Sequence, residues 1–350
     1  MNTIEVKASR NYNIHIGNGL IAKIGTYAAL INKSCKIAIV SDSNVWPLYG
    51  EKITASLSDS GFSYIHYIMP AGEESKGSQQ YLNILNFLAE NTITRADLLI
   101  ALGGGVVGDI TGFVAATYLR GIPYIQIPTT LLAMVDSSIG GKTAIDLPAG
   151  KNLVGAFYQP SLVLCDISAL DSLPNNIFVD GCAEVIKYAV LYDTDLFAHL
   201  MKFGQEFDRE YVISRCITLK RDMVETDEFD TGIRQLLNFG HTVGHSIEKC
   251  SNYTISHGQA VAAGMAIIAK ASSVYGFCNI DVYTQICDIL KHFSLPTSTA
   301  FSANVLANAA LSDKKRLGKT VNLVLPKQIG ECFLHATPVE ELQSFFKAGL

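Results

Sequence analysis

No two cysteines in the chain have C-x-x-C spacing; the eight stand far apart, at 35, 165, 182, 216, 250, 278, 287 and 332. Zinc knuckles and thioredoxin-like redox sites are thereby excluded. Most of these cysteines lie in apolar stretches and read as small buried hydrophobes. The 27 lysines and arginines are scattered rather than run together, so the electrostatic footprint of a nucleic-acid binder is missing. No long hydrophobic run exists either. The longest, residues 260–269, is too short to span a bilayer. Residues 1–17 are polar and lack an apolar signal core. Internal repeats and low-complexity segments are absent. These absences predict a soluble, cytoplasmic protein of a reducing compartment that binds neither nucleic acid nor membrane.

What is present is an ordinary globular composition, 49% hydrophobic and 17% charged. At 350 residues the chain exceeds the size at which single cores stop growing, and two domains are expected. The net charge of −5 does not exclude an anionic ligand, because a local cluster of cations in a cleft outweighs the overall sign. The first half alternates β-rich runs with helical patterns. Strands are predicted over residues 35–40, 64–69, 97–102, 124–127 and 162–165, and a helix over 77–90. Beyond Leu170 strand signals become rare, and 178–191, 210–223 and 259–275 read as helices. The pattern predicts an α/β, Rossmann-like domain over 1–170 and an all-α domain over 171–350.

Gly103-Gly104-Gly105-Val106-Val107-Gly108 satisfies G-x-G-x-x-G, after a predicted strand and at the start of a predicted helix. Glycines there let backbone approach a pyrophosphate, and the helix N-terminus favours its charge. The bland alternative is a turn that packs a helix closely on a strand. No acidic residue follows at the usual distance of about 20 residues. Asp42, ending the first core strand, is placed to serve the ribose hydroxyls, or equally to cap a helix.

Three of the eight histidines, His241, His245 and His257, fall within 17 residues. His241 and His245, four apart, share a helical face, and His257 precedes an alanine-rich helix. Glu184 and Lys187 stand three apart in an apolar segment, which is costly unless each is paired or bound. Two histidines and a carboxylate match an open catalytic zinc site. Spacing alone selects His241 and His245 as the metal pair and leaves His257 undecided. Packing histidines and a simple Glu184–Lys187 pair are the competing readings.

Residues 129–138 are rich in hydroxyls and lead into Gly140-Gly141-Lys142-Thr143, with Lys151-Asn152 close behind. The spacing of a Walker P-loop is absent. Lysines flanked by glycine and hydroxyl side chains suit phosphate or carboxylate recognition; a solvated loop is the alternative. Arg234 and Asn238, a helical turn apart, are expected to share a face with His241 and His245.

Six segments in a fixed order carry a resemblance: GGGVVGDITGFVAATYLRG, IPTTLLAMVDSSIGGKTAID, GKNLVGAFYQP, GCAEVIKYA, LLNFGHTVGHSIE and SHGQAVAAGM. From Asp42 to about Pro326 the chain resembles the 3-dehydroquinate synthase family, within the sugar phosphate cyclases. The resemblance implies a Rossmann-like domain and a helical domain with the active site between them. It implies that Asp42, Asn44, Glu73, Lys76, Gly104, Gly105, Asp109, Thr129, Thr130, Asp136 and Ser137 contact NAD. Lys142 and Lys151 would be active-site lysines close to both cofactor and substrate. The divalent metal, zinc or cobalt, would be held by Glu184, His241 and His257, which moves His245 to the substrate phosphate. Asn152, Lys187, Lys220, Arg234, Asn238 and a lysine of the pair Lys314 and Lys315 would meet substrate. Arg120 would reach the phosphate from a neighbouring subunit of a homodimer. The implied reaction turns the sugar phosphate 3-deoxy-arabino-heptulosonate 7-phosphate into 3-dehydroquinate and phosphate, with NAD reduced and reoxidised in each turnover. Alternatives are another sugar phosphate cyclase, a metal-dependent polyol dehydrogenase that releases NADH, and a nucleotide-sensing protein without chemistry.

Overall fold

The computed structural model describes residues 1–314 and 319–350, with side chains of 312–314 left undescribed. The chain divides into two compact units, Met1–Pro174 with Arg209–Phe229, and Asn175–Asp208 with Asp230–Leu350.

In the first unit the strands are β1 (Asn2–Val6), β2 (Tyr12–Gly17), β3 (Ile37–Asp42), β4 (Tyr64–Met69), β5 (Leu98–Gly103), β6 (Tyr124–Pro128), β7 (Lys142–Leu147), β8 (Gly150–Phe157) and β9 (Leu162–Asp166). Seven of them form one sheet in the order β1-β2-β9-β6-β5-β3-β4. Every neighbouring pair is parallel except β1 with β2. Every residue of β5, β6 and β9 is buried, because helices cover both faces of a parallel sheet. That is why these strands read as continuous apolar runs rather than alternating ones. Helices α1 (Ile24–Ile31), α2 (Trp46–Asp59), α3 (Ser78–Glu90) and α4 (Gly105–Thr117) follow the early strands. Ile110 and Val114 of α4 pack with Ala38, Val40, Leu99 and Ala101 of the sheet in one apolar cluster. Two features were not foreseen. β1 and β2 extend the sheet, and residues 142–157, to which no strand was assigned, form the antiparallel hairpin β7–β8.

The second unit begins with α5 (Asn175–Tyr192) and α6 (Thr194–Phe203); the next helix, α7 (Arg209–Thr226), clusters with the first unit although it lies beyond Leu170. Then come α8 (His241–Cys250), α9 (His257–Val274), α10 (Ile280–His292), α11 (Ala303–Lys314) and α12 (Leu342–Gly349). Among its described residues the unit is helical with one addition, the hairpin of β10 (Thr320–Gln328) and β11 (Glu331–Pro338). The apolar run noted in the sequence is the centre of α9, buried at every position from Ala260 to Ala269; a helix apolar all round is a core helix. Among the described residues no helix is long and apolar enough to cross a membrane.

Helices α8 and α9 lie unusually close, and glycine is the reason. A Cβ on Gly264 would stand 2.1 Å from the Gly240 carbonyl oxygen, and one on Gly244 3.0 Å from the Val261 Cα. Gly240 itself adopts φ 77° just before α8, a conformation that L side chains disfavour.

Candidate active site

The glycine turn of the first unit ends β5 and opens α4, with Gly104 as the residue before the helix. Crowding, not backbone conformation, disfavours side chains there. A Cβ would stand 2.6 Å from Val107 at Gly103, 3.1 Å from Thr130 at Gly104 and 3.1 Å from Ser137 at Gly105. Gly104, Gly105, Thr130 and Ser137 are therefore neighbours at a helix start whose free N–H groups suit an anion. Thr129 donates its N–H to the Gly103 carbonyl at 3.0 Å, while its buried hydroxyl has no hydrogen-bond partner. An orphaned hydroxyl beside such a helix start fits a bound nucleotide. Asp42 caps the turn ahead of α2, its Oδ1 accepting from the N–H groups of Asn44 and Val45 at 2.8 and 3.0 Å.

A second group gathers around Lys76. Its Nζ donates to the Asp109 carboxylate and to Asn152 Oδ1, the latter at 2.6 Å. Burial opposes the ammonium charge, but Asp109 and Glu73 outweigh it and hold the pKa above the ordinary lysine value. Asn152 stands in a left-handed conformation, φ 57°. Asp146 holds it there, accepting from the Asn152 N–H at 2.7 Å while donating its own N–H to the Lys76 carbonyl at 2.7 Å. Glu73 meets Lys151 at 3.3 Å. Lys220, on α7, is buried and donates to the Asp136 carboxylate at 2.8 Å and its carbonyl at 2.6 Å. Asp136 lies in the π-helical turn Ala133–Ser137, a distortion frequent at functional sites. Lys142 opens β7 and is exposed. Arg120, also exposed, has φ 68° directly after Leu119 at φ 50°. Strain of this kind costs about 1–3 kcal/mol per residue and persists where the surroundings impose it.

In the second unit Glu184 comes from the middle of α5 and is 1% exposed. His241 and His257 are the first residues of α8 and α9. The close packing of those two helices aims both imidazoles at one carboxylate oxygen. Glu184 Oε1 lies 3.3 Å from His241 Nε2 and 3.1 Å from His257 Nε2; Oε2 pairs with Lys187. The rear nitrogens have different neighbours. His241 Nδ1 is 3.1 Å from the Phe239 carbonyl oxygen, and His257 Nδ1 is 3.3 Å from Glu248 Oε2. Ligand atoms of Glu184, His241 and His257 all lie within 4.8 Å of one another, as do those of His245, Glu248 and His257. One carboxylate and two imidazoles form a three-ligand set that leaves a position for substrate, so the first group fits a divalent cation.

The electrostatics agree. Burial works against the Glu184 charge, yet Lys187 and His241 outweigh it and hold the carboxyl well below the usual carboxylate range. For His257, burial is outweighed by hydrogen bonds to Glu184 and Glu248, and the pKa is pushed up to about 10. A cation entering this site must displace that proton.

Residues 66–180 match the family model described as 3-dehydroquinate synthase N-terminal, and 181–316 that described as 3-dehydroquinate synthase C-terminal. The chain belongs to the 3-dehydroquinate synthase family. A protein named 3-dehydroquinate synthase from Clostridium acetobutylicum is 44% identical over 358 aligned positions, covering 99% of each chain. Two solved structures share the fold over nearly the whole length. One is a 2-deoxy-scyllo-inosose synthase complexed with carbaglucose-6-phosphate, NAD+ and Co2+, with TM-score 0.90, 23% identity and 100% coverage of both chains. The other is the 2-epi-5-epi-valiolone synthase of Streptomyces hygroscopicus subsp. jinggangensis with NAD+ and Zn2+ bound, with TM-score 0.89, 25% identity and coverage of 99% and 98%.

Against this family background some expectations change. Arg234 and Asn238 do not continue a face of α8: they lie in the 3-10 turn Ile233–Asn238, which Gly240 separates from the helix. Arg234 is buried and Asn238 exposed. His245, exposed one turn along α8, belongs to the Glu248 group and not to the Glu184 group. Lys315 lies outside the described residues, and of Lys314 only the backbone, ending α11, is described. Sequence reasoning missed Asp146, Asp180 and Glu248. Asp180 accepts from the Ser256 hydroxyl and from the Gln259 N–H at 3.1 Å, tying the start of α9 to α5. Helical spacing held a signal for two of them, since Asp180 is four residues before Glu184 and Glu248 seven after His241.

Proposed function

We propose that the chain is a 3-dehydroquinate synthase of aromatic amino acid biosynthesis, forming 3-dehydroquinate and phosphate from 3-deoxy-arabino-heptulosonate 7-phosphate. The observation that carries the reading is one buried carboxylate oxygen, on Glu184, faced by the Nε2 atoms of His241 and His257. Family membership over nearly the full chain, at 44% identity to a named relative, supports this substrate over those of the other cyclases.

When bound, NAD and a divalent cation such as zinc or cobalt supply transient oxidation of an alcohol and the polarisation that makes its proton acidic. The chain's residues do the rest. In the first unit the start of α4, Thr129, Thr130 and Ser137 cradle the dinucleotide phosphates, and Asp42 and Asn44 take its ribose end. Lys76, kept cationic between Asp109 and Glu73, fixes Asn152, while Lys220 fixes Asp136; pairing of this kind holds polar groups in one geometry. Lys142, Lys151, Asn152 and Lys220 are offered to an anionic substrate. In the second unit Glu184, His241 and His257 hold the cation, Lys187 keeps Glu184 ionised, and Arg234, Asn238 and His245 bind phosphate. The exposed, strained Arg120 supports a homodimer in which it serves a neighbouring subunit, and the cysteine pattern supports the cytoplasm.

Incubation with heptulosonate phosphate, NAD and zinc should release phosphate and form a carbocyclic product, without growth of the NADH absorbance. NADH accumulating in step with product would identify a dehydrogenase instead. No turnover on this substrate, but turnover on another sugar phosphate, would assign the chain to a different cyclase.

A further inference from the structure

Among the described residues, Glu248 is a buried carboxylate that the proposed reaction does not use. Its side chain is 4% exposed, and its Oε2 lies 3.3 Å from His257 Nδ1. A carboxylate is not kept in such a place without a partner that repays its desolvation. An imidazole that binds a cation through Nε2 must carry its proton on Nδ1, and that proton needs an acceptor. For His241 the acceptor is a neutral carbonyl, that of Phe239. For His257 it is an ionisable side chain from a different helix. Glu248 stands seven residues after His241, two turns along α8, so the helix that carries one imidazole also aims the other.

We infer that Glu248 is a positioning residue for the metal centre: its carboxylate accepts the Nδ1–H of His257, fixing the ring's tautomer and turning Nε2 toward the cation. The inference rests on the reading of Glu184, His241 and His257 as cation ligands. Glu248 has no assigned role on substrate or cofactor. It acts through His257 by locking the ring's rotation and raising the basicity of Nε2. Asp180 completes the arrangement by holding the first turn of α9, where His257 sits, through Ser256 and Gln259.

The test measures Zn2+ or Co2+ affinity by chelator competition, without substrate, in wild type, Glu248→Ala, Glu248→Gln and His257→Ala. Wild type should bind one ion and His257→Ala should lose it; failure of that pair would overturn the metal reading itself. Glu248→Ala should weaken binding by roughly 10- to 100-fold, the range typical of such partners. Glu248→Gln, which keeps an acceptor but not the charge, should fall between. The Co2+ absorption bands of both variants should shift while NAD affinity stays constant. Ser246→Ala, a neighbouring buried change on α8, controls for a merely structural loss and should leave the bands alone. If Glu248→Gln is folded and matches wild type in affinity and spectrum, the inference is wrong. A stoichiometry of two ions that Glu248→Ala reduces to one would also overturn it, by making Glu248 a ligand in its own right with His245.

Discussion

Burying an ionised carboxylate costs several kcal/mol unless partners offset it, and Glu184 has Lys187, His241 and His257 around it. With no cation bound, a proton on His257 plays part of the balancing role. Its folded-state pKa, about 10, lies above the ordinary 6.5. That proton therefore stabilises the fold fully below pH 6.5, and the contribution is lost as pH rises through about 10. Cation binding runs the other way, because the ion must evict the proton. Apparent affinity should rise about tenfold per pH unit from about pH 7 to about pH 9. Chelator-competition titrations across that range will measure the slope, and a flat profile would show that no proton is displaced. At this scale the sequence was informative where a charge interrupts an apolar run, as at Glu184 and Lys187. It was less so for His257, which no spacing rule ties to His241 because the two head different helices. Glu248 left only its helical spacing from His241 as a signal, since an acid on a helix ordinarily faces water.

The cluster of Glu184, His241 and His257 depends on how closely two helices approach. Gly240, Gly244 and Gly264 leave no room for a methyl group between α8 and α9; at Gly264 a Cβ would lie 2.1 Å from a carbonyl oxygen. Gly264→Ala should destabilise the protein by about 1–3 kcal/mol, the usual range for overpacking. It should also weaken cation binding, because spreading the helices separates His241 from His257. A thermal melt and a zinc titration check both effects, and an unchanged melt would mean that the helices adjust without strain. Helices α5 and α9 were legible because their apolar composition follows from burial. The β7–β8 hairpin was not. Its lysines, glycines and hydroxyls resemble a loop, and its outer residues Leu153, Val154 and Phe157 are exposed, so no alternation of buried and solvated faces marks the strands. Gly240 also misled the reading around Arg234, because an isolated glycine in a helical pattern does not announce that the helix starts after it.

For the molecule as a whole, treatment with a strong chelator should abolish turnover and leave NAD binding unchanged, since the glycine turn and the histidine cluster belong to separate compact units. Added zinc should restore activity. Loss of NAD affinity on chelation, measured by fluorescence titration, would show that the ion supports the nucleotide site as well. The α/β half and the helical half were both visible in the sequence, as a change of periodicity near Leu170. Which helix belongs to which half was not, because amphipathic spacing says that α7 buries a face but not against what. That membership matters beyond bookkeeping of parts. Lys220 of α7 holds Asp136, so the α/β half is unfinished at Pro174. A ribosome must deliver some fifty further residues, α5 and α6 among them, before that half has its last helix. Anyone wishing to excise that half as a stand-alone piece would have to graft Arg209–Phe229 back onto it.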